Sequence, residues 1–182
     1  MSTKDLVHVA LFAAIAAALG LFPPFVLPVI GVPITAQSMA PMLAGSILGG
    51  RKGALSIGLF VLLVAFGMPL LAGGRGGLAV IMGPGGGFIL GWILGALVIG
   101  LLCERFWASL GLWRFALFNL IGGVLLLYPI GIGWISLTAG VPLGQAALAS
   151  AGFIPGDLIK VVAAALIADT ARRSYPVMKP AG

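Results

Sequence analysis

Near its C-terminal end the chain reads GFIPGDLIK, residues 152–160, where an acid, Asp157, and a base, Lys160, open a long apolar run. Residues i and i+3 of a helix share a face, so both side chains can point one way. Pro155 suits a first helical turn, where its missing N–H costs nothing. Asp157 gains from the positive helix N-terminus and Lys160 does not. An Asp or Lys at a bilayer centre costs about 3 kcal/mol, less toward the interface. Such a pair either anchors the helix end by snorkelling or faces inward onto a polar pocket for a ligand. The second reading is the stronger, because ionisable side chains within a span are functional by default.

Other polar groups stand in apolar surroundings. Arg75 lies within GGRGG, which is followed by GPGGG. No strand precedes these glycines and no Lys-Ser/Thr follows them, so they are not a phosphate cradle. They permit a tight re-entrant turn, a close backbone approach to a ligand beside Arg75, or both. Gln37 can donate and accept. Tyr128 and Trp134 lie in YPIGIGW. Tyr128 suits a pocket wall, and Trp134 an interfacial aromatic belt. His8 has no second His or carboxylate at metal spacing and reads as an interfacial or packing residue. There is no HExxH, nucleophile elbow, paired carboxylate or ATP site, so the chain is expected to be neither an enzyme nor a metal or cofactor protein.

The elements that must hold these residues are membrane helices. Of the 182 residues, 61% are hydrophobic and 8% charged, with a mean hydropathy of +1.22. Continuous apolar runs approach the roughly 20 residues of a crossing helix, without the alternation of a barrel strand. Breaks at Gly, Pro and charge give about six spans in one domain, residues 1–182. They run from near Asp5 to Phe22, Thr35 to Gly49, Ala54 to Leu71, Phe88 to Leu102, Phe115 to Leu137, and Pro155 to Ala171, with TAGVPLGQAALASAGFI as a loop. The run LVHVALFAAIAAALGLF is long for a signal sequence and ends in PPFVLP, so it reads as a retained first span. Cys103, the single cysteine, allows no internal disulfide.

Of the 10 Lys and Arg residues, all but Arg75 and Lys160 fall on one side when six spans alternate. Lys4, Arg51, Lys52, Arg105, Arg114, Arg172, Arg173 and Lys179 share that side, which places both termini in the cytoplasm. The same distribution accounts for the +6 net charge without nucleic acid. Asp157, Lys160, Arg75 and Gln37 then gather at the outer face. Small residues recur every fourth position at Ala10, Ala14 and Ala18, at Gly45 and Gly49, and at Gly87, Gly91 and Gly95. Such faces allow close helix approach. The glycine series reads as internal packing; the alanine series fits internal packing or an outward docking face equally well.

The segments VPITAQSMAPMLAG, GMPLLAGGRGGLAVIMGPGGGFILGW, YPIGIGWISL and GFIPGDLIK resemble, in order and from about Ala10 to Arg173, the BioY family of biotin-binding S components of energy-coupling-factor (ECF) transporters. The resemblance implies an all-α membrane protein, a compact bundle of six transmembrane helices in the cell membrane, that captures biotin from outside. It implies a biotin site with Asp157 and Lys160, helped by the loop of Gly73 to Gly77 with Arg75, which adds Gly74 and Gly76 to the candidates beside Gln37 and Tyr128, already read from their own chemistry. It implies Ala10, Ala14 and Ala18 as the docking face for an ECF coupling transmembrane protein served by two ATP-binding-cassette ATPases. A solitary or ion-coupled carrier for biotin or another small vitamin anion is the alternative, and self-association is open.

Overall fold

The structure, a computed structural model, describes residues 1–26 and 32–178. Lys179 lies outside these residues, as do Leu27 and Pro28 of the PPFVLP break. Helices carry most of the described chain. α1 (Thr3–Ala18) continues into a 3-10 turn, Leu19–Leu21. A second 3-10 turn, Ala36–Ser38, leads into α2 (Met39–Leu48), and α3 (Gly50–Ala65) follows after Gly49. A short α4 (Leu78–Met82) precedes α5 (Gly86–Arg105). α6 (Leu112–Leu120), α7 (Leu127–Ala139), α8 (Leu143–Ala151) and α9 (Ile154–Ser174) complete the set. Phe25–Val26 and Pro33–Ile34 form a two-residue antiparallel pair.

Apolar length sorts these helices. Three stretches are long and apolar enough to cross a bilayer: Thr3–Leu21, Gly86–Arg105 and Leu112–Ala139. α8 and α9, bent by 56° against each other, make a fourth if taken as one broken span. α2 has 10 residues and α3 has 16, both short of a full crossing. The expected span near Thr35 to Gly49 is thus largely a half-length helix.

The stretch expected as a loop, residues 138–154, contains α8. Its sequence LGQAALASA is rich in helix formers and begins just after Pro142. Gly, Ser and Pro around it had marked the whole stretch as irregular. The fifth expected span is continuous but not uniform. Between α6 and α7 the chain widens into a π turn, Ile121–Leu125, and the Leu126 N–H reaches the Ile121 carbonyl at 2.8 Å. Pro129, in the first turn of α7, has no N–H to give and its ring crowds the carbonyl four residues back. The π turn just before it takes up that misfit.

α5 lies at the centre, against α2, α3 and α7. Its glycine series is what lets neighbours this close: a Cβ on Gly95 would stand 2.9 Å from the Gly122 carbonyl. Gly87 lies under Trp134 and Gly91 under Leu127. The series is therefore used for internal packing. Ala10, Ala14 and Ala18 are instead exposed along α1, whose buried face is Val9, Phe12, Ala13 and Ala16.

The basic end of the bundle is tied by polar contacts. Lys52 meets Asp5 at 3.3 Å, the Gly50 N–H donates to Glu104 Oε1 at 3.0 Å, and Arg172 donates to the Leu110 and Trp107 carbonyls at 2.8 and 3.2 Å. These join the first turn of α3 to the first turn of α1 and the last turn of α5, and the last turn of α9 to the segment between α5 and α6. The opposite end is left for the site.

Gly95→Val is expected to destabilise the detergent-solubilised protein by about 1–3 kcal/mol, because backbone stands where its side chain must go. Gly58→Ala, with open space around it, is expected to be neutral or stabilising by up to about 1 kcal/mol. Thermal unfolding of the two variants side by side measures this.

Candidate functional site

At the end of the bundle away from the basic cluster, a cavity of about 240 Å³ opens among the described residues. α5 supplies its apolar wall with Phe88, Ile89 and Trp92, positions that share one helix face. Leu127 and Phe153 close the sides, and Phe88 meets the Phe153 and Tyr128 rings edge-on at centroid distances of 5.9 and 6.0 Å. The segment 79–85 lies along another side. Its backbone is pinned by Trp134, whose indole N–H donates to the Gly83 carbonyl at 2.9 Å. Trp134, read from the sequence as an aromatic-belt residue, is half-buried and also holds the pocket wall.

The first two turns of α9 bring in the charged pair. Lys160 Nζ lies 2.9 Å from Asp157 Oδ1, with side chains 15% and 8% exposed. The carboxylate is satisfied from other elements as well: Ser38 Oγ donates to Oδ1 at 3.1 Å and the Tyr128 hydroxyl to Oδ2 at 2.9 Å. Lys160 also donates to Ser38 Oγ at 2.8 Å. Three donors around one buried acid hold it in place. An ammonium has three N–H groups, so Lys160 keeps one for a ligand.

The second cation comes from the loop after α3. Leu71 and Arg75 exchange backbone hydrogen bonds at 3.0 and 3.1 Å, closing a tight turn. Gly73 and Gly74 take the left-handed conformation inside it, with φ of +79° and +68°. Arg75 Nε donates to the Ala72 carbonyl at 3.1 Å, and the guanidinium lines the cavity. Its terminal N–H groups have no partner among the described residues. Burial lowers its pKa from the usual value, but an arginine stays protonated at neutral pH. With Lys160 and Arg75 positive and Asp157 negative, the cavity carries one net positive charge.

Gln37 lines the cavity but is engaged elsewhere. Its Nε2 donates to the Ala16 and Leu70 carbonyls, both at 2.9 Å, and its Oε1 accepts from the Ala72 N–H at 2.8 Å. It is 1% exposed. An amide with both donors spent on backbone positions its surroundings and has little to offer a ligand. Tyr128 touches the site through Asp157 and does not line the cavity. Gly74 and Gly76 lie in the turn behind Arg75, off the cavity wall. A Cβ on Gly76 would strike the Met68 carbonyl, so Gly76 is there for backbone packing.

Gly83 and Gly85, from the GPGGG block read as a possible ligand approach, line the cavity, and so do Ser38, Phe88, Trp92 and Phe153, which were not anticipated. Ser38 had a signal, a second polar residue beside Gln37 in an apolar stretch. The aromatic residues had none, because apolar side chains line every face of such helices. No group of three or more His, Cys, Asp or Glu among the described residues could hold a metal ion. The arrangement can bind a small monoanion: an acceptor and a donor side by side, a second cation, and ring-lined apolar walls.

The BioY family model matches residues 1–177. The biotin transporter BioY of Rhizobium etli is 49% identical over 183 aligned positions, covering 98% of each chain. That of Rhodobacter capsulatus is 41% identical over 182, covering 95% of each. A crystal structure at 2.1 Å, the S-component for biotin from an ECF-type ABC transporter, superposes with a TM-score of 0.92 at 31% identity, over 97% of both chains.

Removing one member of a buried pair strands the other's charge, at a typical cost of about 3–5 kcal/mol. Asp157→Leu is expected to destabilise the ligand-free protein by that order. The double variant Asp157→Leu/Lys160→Met is expected to recover most of the loss in the same thermal unfolding assay.

Proposed function

We propose, since this chain belongs to the BioY family, that it is the membrane-embedded biotin-binding component of an ECF-type uptake system. The observation that carries the reading is the cavity with one net positive charge, in which a carboxylate already held by three donors sits beside an ammonium with one free N–H. Biotin is a monoanion with a flat ureido head, an apolar chain and a carboxylate. Lys160 donates to the ureido oxygen and the remaining lone pair of Asp157 accepts a ureido N–H. Phe88, Trp92, Leu127 and Phe153 cover the apolar portion. The carboxylate goes to Arg75, which sits on a loop and is only half-buried. A carboxylate is the most costly part of the ligand to desolvate, so its place is the less buried cation.

In this reading the basic end faces the cytoplasm and the cavity opens outward, which the one-sided distribution of Lys and Arg supports. The protein is multi-pass in the cell membrane. Nothing in the chain hydrolyses ATP, so reorientation and release are driven by partners: a coupling transmembrane protein bearing two ATP-binding-cassette ATPases. The exposed alanine face of α1 meets the coupling protein, because small side chains let helix backbones approach closely in lipid.

Calorimetry on the protein in nanodiscs is expected to give biotin a dissociation constant below micromolar, with no measurable binding of thiamine or riboflavin. Lys160→Gln is expected to weaken biotin and the neutral biotin amide alike, by more than about 1.5 kcal/mol. Arg75→Gln is expected to weaken biotin by a similar amount and biotin amide by little. Equal effects of Arg75→Gln on both ligands would move the carboxylate elsewhere. Replacing Ala10, Ala14 and Ala18 by Leu is expected to block ATP-dependent uptake while leaving binding intact. Uptake abolished by ionophores in membranes free of any ATPase partner would point to an ion-coupled carrier.

A further inference from the structure

Gln37 and Ser38 are neighbours in one 3-10 turn, yet their side chains serve different parts of the molecule. Ser38 belongs to the charged cluster: it donates to Asp157 at 3.1 Å and accepts from Lys160 at 2.8 Å. Gln37 belongs to a junction of two other elements. Its Nε2 caps the Ala16 carbonyl, in the last turn of α1, where backbone acceptors lack partners within the helix. The same amide holds Leu70 and Ala72 of the outer loop. Ala72 in turn accepts from Arg75 Nε at 3.1 Å. Both groups that offer positive charge to the cavity are therefore one or two hydrogen bonds from this turn, Lys160 through Ser38 and Arg75 through Ala72.

The junction is packed so tightly that it excludes a side chain. A Cβ on Gly20, just past the end of α1, would stand 2.7 Å from Gln37 Nε2 and 2.5 Å from the Leu70 carbonyl. Along its length α1 packs mainly on α3, which contributes nothing to the cavity. The Gln37 amide is thus where the outer end of α1 meets the elements that hold the ligand.

We propose that the Gln37–Ser38 turn couples occupancy of the pocket to the outer end of α1. A ligand that draws Lys160 and Arg75 inward pulls on both sides of one short turn, and the turn's amide is the cap of α1. Loading the pocket then tightens that cap, and an empty pocket loosens it. Gln37 is a positioning residue in this scheme, acting on α1 and on the Arg75 loop without being the ligand's own partner. The proposal rests on the biotin reading above, and goes beyond it by giving the loaded and empty states different ends of the helix that carries Ala10, Ala14 and Ala18.

Hydrogen exchange of the backbone amides of residues 17–22, measured by mass spectrometry in nanodiscs, tests it, with each variant compared without biotin and at biotin saturating for that variant. In the unaltered protein, biotin is expected to slow exchange there by about 5-fold or more. Gln37→Glu keeps the acceptor for Ala72 and loses the donor to Ala16 and Leu70, and it is expected to abolish the difference. Gly20→Ala, whose methyl group would press on the Gln37 amide and the Leu70 carbonyl from the α1 side, is expected to abolish it as well. Should one variant fail to fold, the other decides. A biotin-dependent difference that persists in either folded variant, or one absent from an unaltered protein that binds biotin, overturns the coupling. Failure of the unaltered protein to bind biotin by calorimetry overturns the pocket reading itself, and the coupling with it, so the two failures are told apart before exchange is measured.

Discussion

The Asp157 carboxylate is the group around which the cavity end of the molecule is arranged. A lone ionised acid at this burial would be intolerable, and the chain meets that demand from three separate elements. Lys160 comes from the same helix, Tyr128 from α7 and Ser38 from the turn before α2. The Tyr128 and Ser38 contacts each fix a neighbouring element relative to α9. Satisfying one charge in a low-dielectric setting thus brings together α9, α7 and the head of α2, and leaves beside them a cavity with an ammonium partly free.

The remaining wall is built from backbone that is irregular where it borders the cavity and helical elsewhere. The Leu71–Arg75 turn and the segment 83–85 present carbonyls and N–H groups outside any regular helix along the cavity. They are tolerated because other side chains answer them: Gln37 takes Leu70 and Ala72, and Trp134 takes Gly83. Two polar side chains that sequence reading assigned to a ligand or to the membrane interface serve the backbone of the site. This is economical in a chain with so few polar groups, since one amide closes a helix end and a loop together.

The opposite end follows a different logic. There, exposed or half-exposed ion pairs and the Arg172 contacts tie helix termini together, and the charge is one-sided. An exposed pair contributes little stability by itself. Its value lies in fixing which ends stay on the basic side, which keeps the charged pair of α9 and the Arg75 loop at the other.

Composition and the sequence of polar interruptions determined a good deal without any coordinates. They settled an all-helical membrane class, the gathering of Asp157, Lys160, Arg75 and Gln37 at one end, the internal use of the glycine series, and the motif blocks that mark the family. These are legible because burying a charge or a glycine-close contact in an apolar helix leaves a mark in residue type and spacing. Only the tertiary structure decided that α2 is a half-length helix, that residues 143–151 are helical, that Ser38 completes the acid's shell, and that Gln37 holds backbone. Only it separated Gly83 and Gly85 on the cavity wall from Gly74 and Gly76 behind it. The physical reason is common to all of these. In a chain apolar on nearly every face, periodicity does not say which way a side chain points, and the partner of a polar atom is chosen by contacts between residues as distant as Ser38 and Asp157.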